Sequence, residues 1–307
     1  MGSLILGIET SCDDTSVALV RNGKLIDVIT ESSASLQNSW GGVVPEIAAR
    51  YHGDRLVPIL GALLDRNHLS LGDITHIAYT SHPGLAGCLL TGQVFAKSLA
   101  FLIKKPLIPV NHVYGHVFSV GLTHSLDFPH LALVVSGKTT SLFLVNGYRQ
   151  IYLLDETKDN AIGEVYDKVA RRLDLGYPGG MAIDEMFDEN LNVPQLLKNR
   201  SNPAKPFSYA GILSATMRIC DSMPDLKAQK GYVATIFQKW VIDELIVKIK
   251  YWIGQTGVNT LTVSGGVAAN RYLRAQMKSL NIRSLLVDGS YSGDNAAMIA
   301  YYAYFLI

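Results

Sequence analysis

Thr15-Ser16-Val17-Ala18-Leu19-Val20 runs into Asn22-Gly23, and in the second half of the chain Thr140-Ser141-Leu142-Phe143-Leu144-Val145 runs into Asn146-Gly147. Each stretch is a polar turn, an apolar strand and then a dipeptide that favours the type I′ hairpin turn, because Asn and Gly both tolerate positive φ. Each is preceded by a further apolar strand, Leu4 to Glu9 in the first copy and Leu131 to Ser136 in the second. The unit strand, polar loop, strand, turn, strand therefore occurs twice. Helices alternating with short strands follow each copy, including Ile74 to Thr80 and Leu107 to Val110 in the first half and Thr260 to Ser264 in the second. Coincidence is the competing explanation, since Asn-Gly turns are common. The matched spacing of loop, strand and turn weighs against it.

A tandem α/β duplication with two polar hairpin loops facing each other resembles the actin-like ATPase superfold (ribonuclease H-like), shared by actin, Hsp70 and the sugar kinases. That resemblance implies two lobes with a nucleotide cleft between them. The expected division is a first lobe over 1–110, completed by a C-terminal helix over 294–307, and a second lobe over 111–293 that carries the nucleotide-binding motifs.

The chain has 307 residues, of which 48% are hydrophobic, enough for two cores. Its 27 Lys and Arg against 26 Asp and Glu leave a net charge of +1, so any RNA contact must come from local patches or partner proteins. Arg171, Arg172, Arg271 and Arg274 are candidates, although solvated helix faces explain them equally well. Three scattered cysteines, Cys12, Cys88 and Cys220, argue against a disulfide framework and for a reducing compartment, so a cytoplasmic protein is expected. The N-terminus lacks the basic start and cleavage site of a signal peptide. The apolar stretch from Ala296 to Ile307 is too short for the roughly 20 residues that a membrane span needs. It reads as a core-packed helix, with no membrane association.

Chemistry concentrates in a few segments. Glu9-Thr10-Ser11-Cys12-Asp13-Asp14 sets carboxylates between two strands; they position a cation or water, or simply form a solvated hairpin tip. Its counterpart, Val134 to Ser141, offers amides, hydroxyls and Lys138, the groups that cradle a phosphate. Gly137-Lys138-Thr139 looks like the end of a Walker A loop, but the upstream glycine and the following helix are missing, which excludes that reading. In Ser264-Gly265-Gly266, paired glycines allow a flat base or ribose to approach the backbone, and Asn270 caps the next helix or bonds a ligand. Glu164, Asp167 and Lys168 share a helical face, and the turn Tyr177-Pro178-Gly179-Gly180 leads to Asp184.

His112 and His116, four apart and directly after a strand, share a helical face and can ligate one metal ion. Two unrelated polar histidines are the alternative. Zinc peptidases of the His-Glu-x-x-His type place their general base after the first histidine, where this chain has Val113. A protease would therefore lack its base. The best third ligand is Asp294, which otherwise reads as the N-cap of the last helix. Two imidazoles and a carboxylate with open positions suit Fe2+ or Zn2+.

Taken in order, Glu9 to Asp13, Gly41-Gly42-Val43-Val44-Pro45-Glu46, Gly84-Leu85 with Gly87, His112 with His116, Val135-Ser136-Gly137, Gly163-Glu164, Asp167-Lys168, Tyr177 to Gly180, Gly265-Gly266-Val267, Asn270-Arg271 and Asp294-Asn295 resemble the TsaD family almost end to end. The resemblance implies transfer of a threonylcarbamoyl group from threonylcarbamoyl-AMP to the exocyclic amine of an adenosine beside the tRNA anticodon. It implies His112, His116 and Asp294 as metal ligands, one divalent ion per chain with Fe2+ ahead of Zn2+, and TsaB-like and TsaE-like partners. Val134, Val135, Ser136, Gly137, Lys138, Asp167, Gly180, Asp184 and Asn270 are implied to bind the adenylate. Asp13 is a candidate proton acceptor. Two departures stand out. The family's usual Ser-Gly-Gly-His-Thr-Gln is here Ser136 to Ser141 with Lys138 and Thr139 in place of glycine and histidine, and the usual His-His-x-x-x-His starts with Asn111. A phosphotransferase of the same superfold and a non-catalytic TsaB-like scaffold are the alternatives; the scaffold proteins lack the histidine pair.

Overall fold

The computed structural model describes residues 2–37, 40, 42–194 and 202–307. Gly41, from the Gly-Gly-Val-Val-Pro-Glu motif, lies outside the described residues. The chain divides into two compact units, residues 1–126 with 287–307, and residues 127–286. Both boundaries lie away from those expected at 110 and 294. The helix after Val110 and the approach to the C-terminal helix belong to the first unit, because the two helices pack on each other.

In the first unit β1 (Leu4–Glu9), β2 (Asp14–Arg21) and β3 (Lys24–Ser32) form an antiparallel meander followed by the single turn α1 (Ala34–Gln37), and β4 (His76–His82) and β5 (Leu107–Asn111) extend the sheet in parallel, in the order β3-β2-β1-β4-β5. The turn between β2 and β3 has Asn22 at φ 51° and Gly23 at φ 75°, as a type I′ turn requires. Side chains alternate across a strand, so Leu4, Leu6 and Ile8 enter one face. There they form a core with Leu56, Ile59 and Leu63 of α2 (Pro45–Arg66) and with Ala96 and Leu99 of α3 (Ala86–Ile103). Each such buried Leu or Ile contributes about 1.5–3 kcal/mol.

The opposite face carries Gly7, against which the C-terminal helix packs. That helix, α10 in chain order, spans Ala296–Tyr304, and its residues from Ala296 to Ala303 are buried, as a core-packed helix should be. A Cβ on Gly7 would stand 2.4 Å from the Ala296 carbonyl oxygen and 2.9 Å from the Ala300 Cβ. Gly7→Val is therefore expected to destabilise the unit by about 1–3 kcal/mol through overpacking. A urea transition at the wild-type midpoint would show that the helix does not need this close approach.

The second unit repeats the topology. β6 (His130–Val135), β7 (Thr140–Gly147) and β8 (Gln150–Glu156) form the meander, β9 (Thr260–Ser264) and β10 (Arg283–Leu286) add in parallel, and the order is β10-β9-β6-β7-β8. The duplication read from sequence is thus real, with one correction. Asn146-Gly147 is not the hairpin turn: Gly147 still pairs with Gln150, so Tyr148 and Arg149 make the turn. A register shift between Val145 and Gly147 absorbs the dipeptide into the strand, and neither residue has positive φ. Between β8 and β9 lie α5 (Ile162–Arg172), α6 (Gly180–Glu185), α7 (Ala210–Ser222) and α8 (Lys230–Thr256); α9 (Arg271–Lys278) leads to β10.

Candidate functional site

β5 ends at Asn111, whose side chain accepts a hydrogen bond from the Tyr114 amide at 3.1 Å and so starts α4 (His112–Ser119) at the first histidine. One turn then brings the His112 and His116 rings together, with centroids 4.8 Å apart. His116 is 1% exposed and His112 9%. Asp294 comes from the other end of the chain. Its Oδ1 lies 3.0 Å from His116 Nε2 and 3.5 Å from His112 Nε2. The expected N-cap role falls to its neighbour, since Asn295 accepts the Met298 amide at 3.0 Å. Asp294 is therefore not committed to the helix.

These three residues could hold a metal ion, one ligand atom from each lying within 4.8 Å of the others. The protonation pattern agrees. His112 Nδ1 lies 3.1 Å from the Glu9 carboxylate. A carboxylate only accepts, so Nδ1 carries a proton, and whenever the ring is neutral its lone pair lies on Nε2, the nitrogen on the Asp294 side. In that form a divalent ion between Nε2 and the carboxylate would satisfy both.

Behind the histidines stands a polar cluster that sequence reading missed. Glu9 is fully buried; its Oε1 accepts the Ser11 amide at 2.5 Å, and its Oε2 accepts the Thr80 hydroxyl. Burial raises the Glu9 carboxyl, but the charge and hydrogen bond of His112 outweigh it and hold the group below its usual range. The available signal was strand alternation, which puts Glu9 on the face of Gly7 and α10.

The loop between β1 and β2 is gripped at three successive carbonyls. Ser11 O accepts the Leu85 amide at 2.8 Å, Cys12 O lies 3.0 Å from His52 Nε2, and Asp13 O accepts both the amide and the hydroxyl of Ser33 at 2.9 Å. His52 Nδ1 also meets the Thr15 hydroxyl at 2.7 Å, and its burial lowers the ring's basicity. Asp13 is thus presented on a fixed backbone rather than on a solvated tip.

Burial pushes the Asp14 carboxyl up to about 7, with Asp13, Asp294 and Glu9 adding to the rise and Ser32 opposing it. The unfolded chain releases this proton near pH 3.8, while the folded chain keeps it until about 7. The stability of the metal-free protein is therefore expected to fall as pH rises through that window, by up to about 4 kcal/mol at roughly 1.4 kcal/mol per pH unit. Asp14→Asn should flatten that part of the pH–stability curve; an unchanged slope in urea titrations counts against the assignment.

In the second unit β6 stops at Val135 and the loop 136–139 closes on itself, with Ser136 Oγ accepting the Thr139 amide at 3.1 Å and the Lys138 amide at 3.4 Å. The Gly163 amide donates to Ser136 O at 3.1 Å, which seats the first turn of α5 against this loop. Only glycine permits that approach, because a Cβ on Gly163 would lie 2.6 Å from both Gly137 Cα and Ser136 O. Gly265, at φ +90°, makes a similar approach to Val135. The Val134 and Val135 side chains are fully buried, which leaves only their main chain for a ligand. Gly137 and Gly180 have open space where a Cβ would stand.

Asp167 accepts the Gly179 amide at 2.9 Å and so ties α5 to the start of α6. Its neighbours Glu164 and Lys168 pair at 2.7 Å, the surface salt bridge their spacing allowed. Asp184 and Asn270 belong to one buried network. Asp184 accepts from Gln238 at 2.9 Å and pairs with Arg271 at 2.9 Å, while Asn270 caps α9 through Leu273 and donates to Gln238 at 2.7 Å. Gln238 lies far off in sequence and was not foreseen. Of the arginines considered for RNA, Arg271 pairs with Asp184, Arg172 with Asp221, and Arg274 with the Ala268 carbonyl.

Among solved structures the chain resembles full-length HypF in its phosphate- and nucleotide-bound form, with a TM-score of 0.66, 14% identity, and coverage of 99% of this chain and 46% of that one. At that identity the likeness concerns the fold, and the fold is the actin-like ATPase type. Relatives are much closer in sequence. The tRNA N6-adenosine threonylcarbamoyltransferase of Ureaplasma parvum is 46% identical across 99% of this chain and 95% of its own length, and that of Mycoplasmoides gallisepticum is 42% identical across 99% and 98%. Residues 24–301 match the TsaD family, described as tRNA N6-adenosine threonylcarbamoyltransferase. Identity of this level over nearly the whole chain, with the histidine pair and Asp294 gathered at one point, makes the protein a member of the TsaD family.

Proposed function

We propose that the protein transfers the threonylcarbamoyl group of threonylcarbamoyl-AMP to the exocyclic amine of the adenosine 3′ of the anticodon, in tRNAs reading codons that begin with A. The products are N6-threonylcarbamoyladenosine and AMP. The observation that carries this reading is 46% identity, over 99% of the chain, to a relative named for the reaction.

The amine attacks the carbamoyl carbonyl of the mixed anhydride, the bond from that carbon to the phosphate oxygen breaks, and AMP leaves with the electron pair. The amine proton goes to a base, for which Asp13 is our candidate because the Ser33 contacts hold its backbone. We assign the main chain of Val134 and Val135, the turn of Ser136, Gly137 and Lys138, and Asp167, Gly180, Asp184 and Asn270 to the adenylate. Support comes from the glycine-dependent seat of α5 on the 136–138 turn, which sets the positive end of the helix dipole beside that turn. Use of Asp184 would draw on a carboxylate already oriented by Arg271 and Gln238. His112, His116 and Asp294 would hold Fe2+, with Zn2+ as the alternative, and the ion would supply Lewis-acid polarisation of the carbonyl.

For partners we infer tRNA and proteins of the TsaB and TsaE kinds, in the cytoplasm and without membrane attachment. Among the described residues α3 is long and apolar enough to cross a membrane. One side of it, however, packs Ala96 and Leu99 into the core beside β1. It exposes Leu90, Val94, Phe101 and Leu102, and α2 exposes Val57, apolar surface suited to a TsaB-like protein. The test is reconstitution with such partners, threonine, bicarbonate, ATP, a threonylcarbamoyl-AMP synthase and tRNA, read by mass spectrometry of the nucleosides. Failure to form the modified nucleoside with partners of demonstrated activity would overturn the reading. ATP-dependent phosphorylation indifferent to His112→Ala would point instead to a phosphotransferase.

A further inference from the structure

We propose that Glu9 is a positioning residue that fixes which nitrogen His112 offers and thereby sets the affinity of the metal site; this rests on reading His112, His116 and Asp294 as that site. β1 brings Glu9 to the α10 face of the sheet with no exposure to solvent. A buried carboxylate costs stability unless its oxygens are satisfied. Here all the contacts converge on one arrangement: the Ser11 amide at 2.5 Å on Oε1, the Thr80 hydroxyl on Oε2, and His112 Nδ1 at 3.1 Å from the same Oε2. Ser11 Oγ lies 3.2 Å from that ring nitrogen as well.

Because the carboxylate can only accept, it selects, in the neutral ring that a metal requires, the tautomer with hydrogen on Nδ1 and leaves the Nε2 lone pair on the Asp294 side. A carboxylate hydrogen-bonded to the far nitrogen also makes imidazole a better donor to a metal. The other histidine has no such support. His116 Nδ1 is buried with no hydrogen-bond partner among the described residues. The two ligands are therefore inequivalent, with His112 oriented from behind and His116 held by packing and Asp294.

Glu9→Gln keeps the shape and removes the charge. Its amide can turn a donor toward Nδ1, which favours the tautomer with hydrogen on Nε2 and blocks that donor. Zn2+ binding to the metal-free full chain, measured by chelator competition, is expected to weaken about 10- to 100-fold. The metal-free melting temperature should change little, and nitrogen NMR of the histidines should show His112 losing its preference for hydrogen on Nδ1. Thr80→Val, which removes the hydroxyl steering Oε2 and leaves every ligand in place, should weaken Zn2+ in the same direction by a smaller factor. It keeps the inference testable if Glu9→Gln does not fold. Wild-type affinity in the folded variants overturns the role of Glu9 alone. A wild-type protein that binds no Zn2+ overturns the metal reading and this inference together.

Discussion

Asp294→Ala is expected to empty the metal site and to lower transfer by about a thousandfold or more, while leaving the fold intact. The carboxylate is the only anionic donor among the three candidate ligands, and both Nε2 atoms converge on its Oδ1, at 3.0 and 3.5 Å. Its loss leaves two neutral imidazoles, a weak site for a hard divalent ion. Lewis-acid stabilisation of several kcal/mol corresponds to roughly three decades of rate at ~1.4 kcal/mol per decade. The fold should survive because Asn295, not Asp294, caps α10. Metal content per chain, single-turnover transfer and the melting temperature of the metal-free protein separate these effects. His112→Ala should behave alike. Full metal content with undiminished transfer in either variant would remove the basis for the metal assignment.

Gly163→Val is expected to weaken AMP binding about a hundredfold and to destabilise the protein by about 1–3 kcal/mol. The new Cβ meets Gly137 Cα and Ser136 O at 2.6 Å and Gly137 N at 2.8 Å. These are main-chain atoms, so relief requires α5 to withdraw from the turn it completes, and the turn assigned to the adenylate loses its support. Gly137→Ala is the matched control, since its Cβ enters open space, and it should cost far less. Calorimetry with AMP on both variants distinguishes a steric floor from a turn that merely needs glycine. Equal affinities would contradict the role given to α5.

How much of this was legible before folding differs from residue to residue. Local spacing was enough for His112 and His116, because four residues on a helix make one turn. It was also enough for the Asn22-Gly23 turn, where two adjacent residues carry the whole conformational demand. The same dipeptide at Asn146-Gly147 misled, because cross-strand pairing with Gln150 overrode the local preference. Lys138 and Thr139 were visible as departures. Their backbone still closes the turn onto Ser136, since amide donors do not depend on side-chain identity.

Whether Asp294 was the cap of the last helix or a ligand was open until α10 was seen to start at Ala296, with Asn295 as its cap. Strand alternation gave the face of Glu9 but not its partner, and Thr80 and Gln238 carried no local signal at all. Glu9 and His112 are 103 residues apart, and Gln238 and Asp184 are 54 apart. Sequence by itself determined the duplicated α/β architecture, the histidine pair and the family, because these rest on periodicity and short ordered motifs. Tertiary structure alone decided that Glu9 reaches His112 from behind and which polar side chains are spoken for within the interior. Those outcomes depend on how sheet and helix faces bring distant residues within hydrogen-bond range, and that information is not local.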